Sequence, residues 1–240
     1  MNANASNLSI ASLLLLAANA HADFATPDDY GWQRFDQDST YFEWDDFSNP
    51  LGGNTPDIGM FPNPLPTGWS EPDVVETTGT GFITSTGNIY SFAAATEFEV
   101  SFPNYGYGSK SFDTTVLVQI RTQGNELDPE SLAIGSYSPV ETTELDRISL
   151  GGGGPGGFQV DTLFRFELPG NFDDYLLEFK AIGSSMSLDK LAIDTFATSA
   201  LVAGPFSGTK TNTDGTDPIP APASATLIGL AACASTRRRR

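Results

Sequence analysis

The chain has 240 residues, with 12 Lys and Arg against 30 Asp and Glu and a formal net charge of −18. So acidic a chain repels nucleic-acid phosphates and anionic lipid headgroups, which need cationic partners, and nucleic acid is excluded as a partner. The only His is His21 and the only Cys is Cys233, so the chain between them cannot build a Ser-His-Asp triad, a Cys-His pair, a His/Cys zinc site, or a His- or Cys-ligated haem or iron–sulfur centre.

Met1 to Ile10 carries no Lys or Arg, and an apolar run follows over Ile10 to Ala18. A bilayer span needs about 20 apolar residues, so this run is too short to anchor the chain. Ala20-His21-Ala22 is a small-x-small cleavage pattern, followed by the acidic Asp23. The layout predicts a signal peptide over 1–22, cut after Ala22, and export through the Sec machinery. One domain is expected over 23–213, and a linker with a sorting tail over 214–240.

Residues 23–40 are polar and acidic, with Trp32 and Phe35 as the expected anchors. Tyr41 to Phe47 reads as a first strand, and the Pro- and Gly-rich 48–70 as a long ordered loop. Short strands are then expected at 80–86, 88–93, 97–102, 115–121, 131–137, 141–150, 164–168, 174–182 and 187–197. Glu97 to Phe102 alternates cleanly, with the even positions apolar. The segment 115–121 alternates with one fault, at Leu117. A period of two places one face on a core and the other in water. Turn residues separate the strands at Gly87-Asn88, Gly124-Asn125 and Pro169-Gly170-Asn171. The glycine-rich Gly151 to Gly157 reads as a hairpin loop. No Gly-Lys-Ser/Thr follows it, so it is not a phosphate loop. No segment holds helical spacing and no repeat has a fixed period. The fold class is all-β: an antiparallel β-sandwich, expected as a jelly roll of eight to ten strands.

Carboxylate chemistry is what the composition leaves open. Glu43, Asp45 and Asp46 sit at the first strand, and Asp189 and Asp194 on the last. The end strands of a jelly roll commonly run side by side, which makes Glu43, Asp46 and Asp189 candidate ligands of a structural calcium ion. Ordinary outward-facing acids are the other reading. Alternation puts Glu43 and Asp45 on one face and Asp46 on the opposite one, and no D-x-D-x-D-G loop is present. The opening acids and the closing Leu188-Asp-Lys-Leu-Ala-Ile193 resemble galactose-binding-like and carbohydrate-binding jelly rolls. That resemblance implies a structural calcium between the end strands. Tyr105 and Tyr107, in Phe102-Pro-Asn-Tyr-Gly-Tyr-Gly108, are candidate rings for stacking on extracellular polysaccharide. The other reading has such rings capping the core. A glycosidase-type pair of carboxylates is a third possibility, supported only by the abundance of acids.

The chain ends with Pro220-Ala221-Pro222, an apolar stretch from Ala223 to Ala234, and Arg237, Arg238, Arg239 and Arg240. Arginines on the cytoplasmic flank resist translocation, so transient anchoring in the inner membrane is expected. This three-part order resembles the PEP-CTERM sorting tail of Gram-negative bacteria, in a planctomycete-like Pro-Ala-Pro variant with Ala221 in place of the defining Glu. The resemblance covers only the tail. It implies processing by an exosortase-type transpeptidase and delivery to the cell surface or extracellular matrix, and nothing about the domain's activity. The sequence thus points to an exported, non-enzymatic surface or matrix protein. A carbohydrate-binding module is the alternative, and a carboxylate-pair glycosidase stands third.

Overall fold

A computed structural model of the chain describes residues 24–61, 68, 70–105, 112–151 and 156–199. Ala20, Ala22, Tyr107, Trp69 and the whole tail from Pro220 to Arg240 lie outside the described residues.

The strands in chain order are β1 (Ser39–Trp44), β2 (Ile58–Met60), β3 (Asp73–Glu76), β4 (Phe82–Ile83), β5 (Ile89–Tyr90), β6 (Glu97–Pro103), β7 (Phe112–Gly124), β8 (Ala133–Ile134), β9 (Glu141–Ser149), β10 (Phe158–Leu168), β11 (Asp174–Lys180) and β12 (Met186–Ser199). They form two antiparallel sheets. The larger runs β2-β1-β12-β7-β10-β9, with β5 also paired to β12 and β4 to β5. The smaller runs β3-β6-β11-β8. The expected all-β sandwich is present, and the first long strand pairs with the last through β1 and β12.

Between the sheets lies an aromatic core. Phe42 and Trp44 of β1, Val116, Val118 and Ile120 of β7, Phe164 and Phe166 of β10, and Leu191 and Ile193 of β12 face it from the larger sheet. Phe98, Val100 and Phe102 of β6, with Leu177 and Phe179 of β11, face it from the smaller. These are the alternate residues of each strand, so the period of two read from β6 has its physical cause here. Phe98 and Phe179 are direct cross-strand partners and stack with ring centroids 5.0 Å apart. Truncating one such buried ring to Ala costs about 3–5 kcal/mol in general.

The ordered loop expected after the first strand is built around one buried amide. Asn54 Oδ1 accepts from the Ser48 and Asn49 backbone N–H groups at 3.0 and 2.8 Å, and Asn54 Nδ2 donates to Asn49 O and Val74 O at 2.8 and 3.1 Å. Trp44 Nε1 donates to Asn54 O at 2.7 Å. The segment thereby ties β1 in one sheet to β3 in the other. The three residues of β2 and the four of β3 are too short to show alternation. The sequence reading took β2 as loop and did not mark β3.

The larger sheet is buried on its outer face as well. Leu117, the fault in the alternation of β7, points outward and is still fully buried, as is Leu163 of β10. Residues 24–38 run across this face as a strap. Gln119 of β7 clamps the strap backbone: Ala25 N–H donates to its Oε1 at 2.6 Å and its Nε2 donates to Ala25 O at 2.8 Å. Phe24 packs on Tyr41 and Ala192. Trp32 stacks on Phe196 with centroids 5.3 Å apart, as its reading as an anchor requires. Phe35 does not anchor: it is 80% exposed, with a left-handed φ of 78° that turns its ring away from the sheet. Its neighbour Arg34 does the anchoring. Its Nε and Nη2 donate to both oxygens of Asp194 at 2.7 and 2.9 Å, and its guanidinium lies 3.6 Å above the Tyr41 ring.

Asp194 is 0% exposed at the centre of the sheet. An Arg34→Met change is therefore expected to cost about 3–5 kcal/mol at neutral pH, because it leaves a buried carboxylate unpaired. Burial already pushes the Asp194 carboxyl up, against the pull of Arg34. Without Arg34 that pull is gone and the carboxyl accepts a proton at still higher pH. The loss should then shrink as pH falls through the raised range. Urea unfolding of both proteins at about pH 7 and about pH 5 reads this. Equal losses at the two pH values would show that Asp194 is not the source.

Candidate functional site

The acids singled out from the sequence are held by separate partners. Glu43, on the outer face of β1, pairs with Lys190 Nζ at 2.9 Å and accepts a hydrogen bond from the Tyr41 hydroxyl. Burial pulls the Glu43 carboxyl up, but Lys190 and Tyr41 outweigh it and hold the group below the usual range. Burial and the bond to Glu43 push the Tyr41 phenol up. Asp46 is exposed just past β1, beside Gly87, and the N–H groups of Asp45 and Asp46 donate to Asp57 Oδ2 at 2.7 and 3.0 Å. Asp189 sits at the β12 bulge, where the register to β7 shifts between Leu188 and Lys190, and accepts from Asn88 Nδ2 at 2.6 Å. Burial raises the Asp189 carboxyl, against the pull of Asn88 and Arg121. Among the described residues, no three His, Cys, Asp or Glu side chains gather around a common point. Tyr105 is half-buried just past β6.

Among the described residues, the three most buried carboxylates have structural partners. Asp194 is held by Arg34. Asp161 of β10 is held by Arg121 of β7, with Nε and Nη2 donating at 2.8 and 2.7 Å. Glu76 accepts from the N–H groups of Thr78, Gly79 and Gly81 at 3.0, 3.0 and 3.3 Å and from the Thr78 hydroxyl, which shapes the turn after β3.

A different set of residues forms the described cleft with the clearest ligand chemistry. Cross-strand pairing aligns Phe82 with Tyr90, Tyr90 with Ser187, Ser187 with Gln123, and Gln123 with Gln159. The row spans β4, β5, β12, β7 and β10 on the outer face of the larger sheet. The same face carries Asp194 and Lys190 further along β12. Phe82, Tyr90, Ser187 and Gln123, with Thr84 and Asn88, border a cleft of about 470 Å³, a size in the range of small-molecule sites. None of these positions stood out in the sequence, because the row joins residues far apart in the chain. What was legible around the cleft were its connections: the Gly87-Asn88 and Gly124-Asn125 turns and the Gly151 to Gly157 hairpin loop.

No protein-family model, curated protein or solved structure matches this chain.

The turn beside the cleft depends on Gly87. Its φ is +83°, and a Cβ there would come 2.3 Å from Asp46 Oδ1. Thr84 N–H donates to Asn88 O at 2.9 Å across the same turn. A Gly87→Ala change is expected to destabilise the domain by about 1–2 kcal/mol, the cost of a left-handed residue with a Cβ. Chemical denaturation measures it, and an unchanged midpoint would show that the turn relaxes freely.

Proposed function

We propose that the chain is an exported, non-catalytic β-sandwich protein delivered to the cell surface or extracellular matrix. In this reading residues 1–22 direct export and are removed. The tail over 214–240 halts transiently in the inner membrane and is cut by an exosortase-type transpeptidase. The reading is supported above all by what cleavage after Ala22 would leave in place. Phe24 and Ala25 are already docked on the outer face of the larger sheet, so cleavage after Ala22 leaves the strap whole. Cleavage a few residues later would remove the Gln119 clamp.

A non-catalytic role is supported by the work the buried acids do. Asp161 and Asp194 neutralise arginines and Glu76 shapes a turn, and a carboxylate fixed in this way is not poised to transfer a proton to a substrate. The acidic surface suits a protein that must stay soluble outside the cell.

Mass spectrometry of the product, made with both ends intact in an exosortase-bearing host, tests the reading. The expected product starts at Asp23, lacks Arg237 to Arg240 and is recovered from the envelope or the medium. In an exosortase-deficient strain it should keep the arginines and remain with the inner membrane. An intact chain retained in the cytosol would overturn the proposal.

A further inference from the structure

The strap covers only part of the outer face of the larger sheet. Along β12 it lies over the rows of Phe196, Asp194 and Ala192. Next comes a row of charge, with Lys190 on Glu43 and Arg121 on Asp161. The row after that runs from Phe82 through Tyr90, Ser187 and Gln123 to Gln159, and its first four members border the open cleft.

Two groups in this row are buried without partners. Ser187 is 6% exposed, lines the cleft, and its Oγ makes no hydrogen bond. Gln159 is 7% exposed, and its Nε2 makes none either. A buried polar atom left unpaired costs about 1–3 kcal/mol. Their neighbours in the row are aromatic. Phe82 meets the Tyr90 ring edge-on at 5.3 Å and the Phe92 ring at 5.8 Å. Phe92 is 69% exposed and Phe82 39%. One cleft thus combines an apolar corner in contact with water and, at Ser187, a hydroxyl without a partner, while Gln159 lies further along the same row.

This combination selects a ligand class. The described residues that line the cleft include no Lys or Arg, and Asp189 lies against the neighbouring Asn88, so a phosphate, sulfate or uronate finds no counter-charge. A purely apolar ligand would leave the Ser187 hydroxyl as unpaired as it is in the free protein. A ligand with flat C–H faces and a rim of uncharged hydroxyls meets both demands. We propose that the cleft binds a neutral oligosaccharide, with one pyranose ring resting against Phe82 and Tyr90 and its hydroxyls bonded by Ser187 and Gln123. The proposal goes beyond the export reading and is tested by a different measurement, so either can fail alone.

Calorimetry on the purified full chain provides the test, with cellohexaose, xylohexaose, mannohexaose and maltohexaose as neutral probes and a galacturonic acid hexamer as the anionic control. At least one neutral probe is expected to bind saturably, and more tightly than the control. Ser187→Ala and Phe82→Ala should each weaken that binding about ten-fold, or about 1.4 kcal/mol. Ser187→Ala should leave the melting midpoint unchanged or raise it, because it removes a buried group without a partner. Tyr105→Ala, at a position not among the described residues that line the cleft, should leave binding unchanged. The proposal is overturned if no neutral probe binds, if the anionic hexamer binds more tightly, or if both cleft variants bind like the native protein. Loss of binding in Tyr105→Ala alone would place the sugar on the segment after β6 and overturn it equally.

Discussion

A carboxylate in the middle of a central strand, cut off from water, is the constraint around which this domain is arranged. Asp194 pairs across to Tyr41 on one side and Leu117 on the other, so it sits deep within the larger sheet. A charge there is tolerable only with an opposite charge and satisfied lone pairs. Arg34 supplies both through its two-pronged contact. Arg34 comes from the segment before β1, so that segment has to cross the sheet. The crossing brings Phe24, Ala25 and Trp32 onto the same face, and the sheet becomes a middle layer.

Arg121 and Asp161 repeat the device one row past Gln119, and Lys190 with Glu43 repeats it in a more exposed form. The chain has far fewer basic than acidic residues, and Arg34, Arg121, Arg165 and Lys190 are all committed to this one face. A fold held by specific ion pairs across a sheet gains register more than raw stability, because an ion pair in the interior recovers little beyond its desolvation cost. The aromatic core between the sheets supplies the bulk of the stability.

The outer face then divides by chemistry along the strand direction. Where Trp32, Phe24 and Arg34 lie on it, the sheet is closed. Where the strap does not reach, Ser187, Gln123 and Gln159 stand in a row beside Phe82 and Tyr90. Rigid strands fix their spacing, which is a better support for recognition than a loop. The glycine-rich connection joins β9 to β10 as a hairpin closed by Leu150 N–H on Gly157 O at 3.1 Å, and Leu150 and Gly151 bring it to the same cleft.

Local pattern was enough to read β6 and β11, because each has one face on the core and alternates accordingly; β9, expected over 141–150, forms without a buried side chain. It was also enough to read the fold class, the hairpin at Gly151 to Gly157 and the absence of imidazole and thiol chemistry from the domain. It could not explain Leu117. Alternation reports one buried face, and a sheet covered on both sides by a distant segment no longer follows that rule. Nor could it tell that Arg34 rather than Phe35 anchors the strap, since the choice depends on a carboxylate 160 positions away. The cleft row was equally hidden: Tyr90, Ser187 and Gln123 become neighbours only through the register of β5, β12 and β7. Composition and short-range periodicity determine which residues seek a core and which chemistries are available. Tertiary structure alone decides which distant polar groups share a face and which of them stay unpaired, because hydrogen-bond satisfaction is a property of the assembled sheet and not of any one strand.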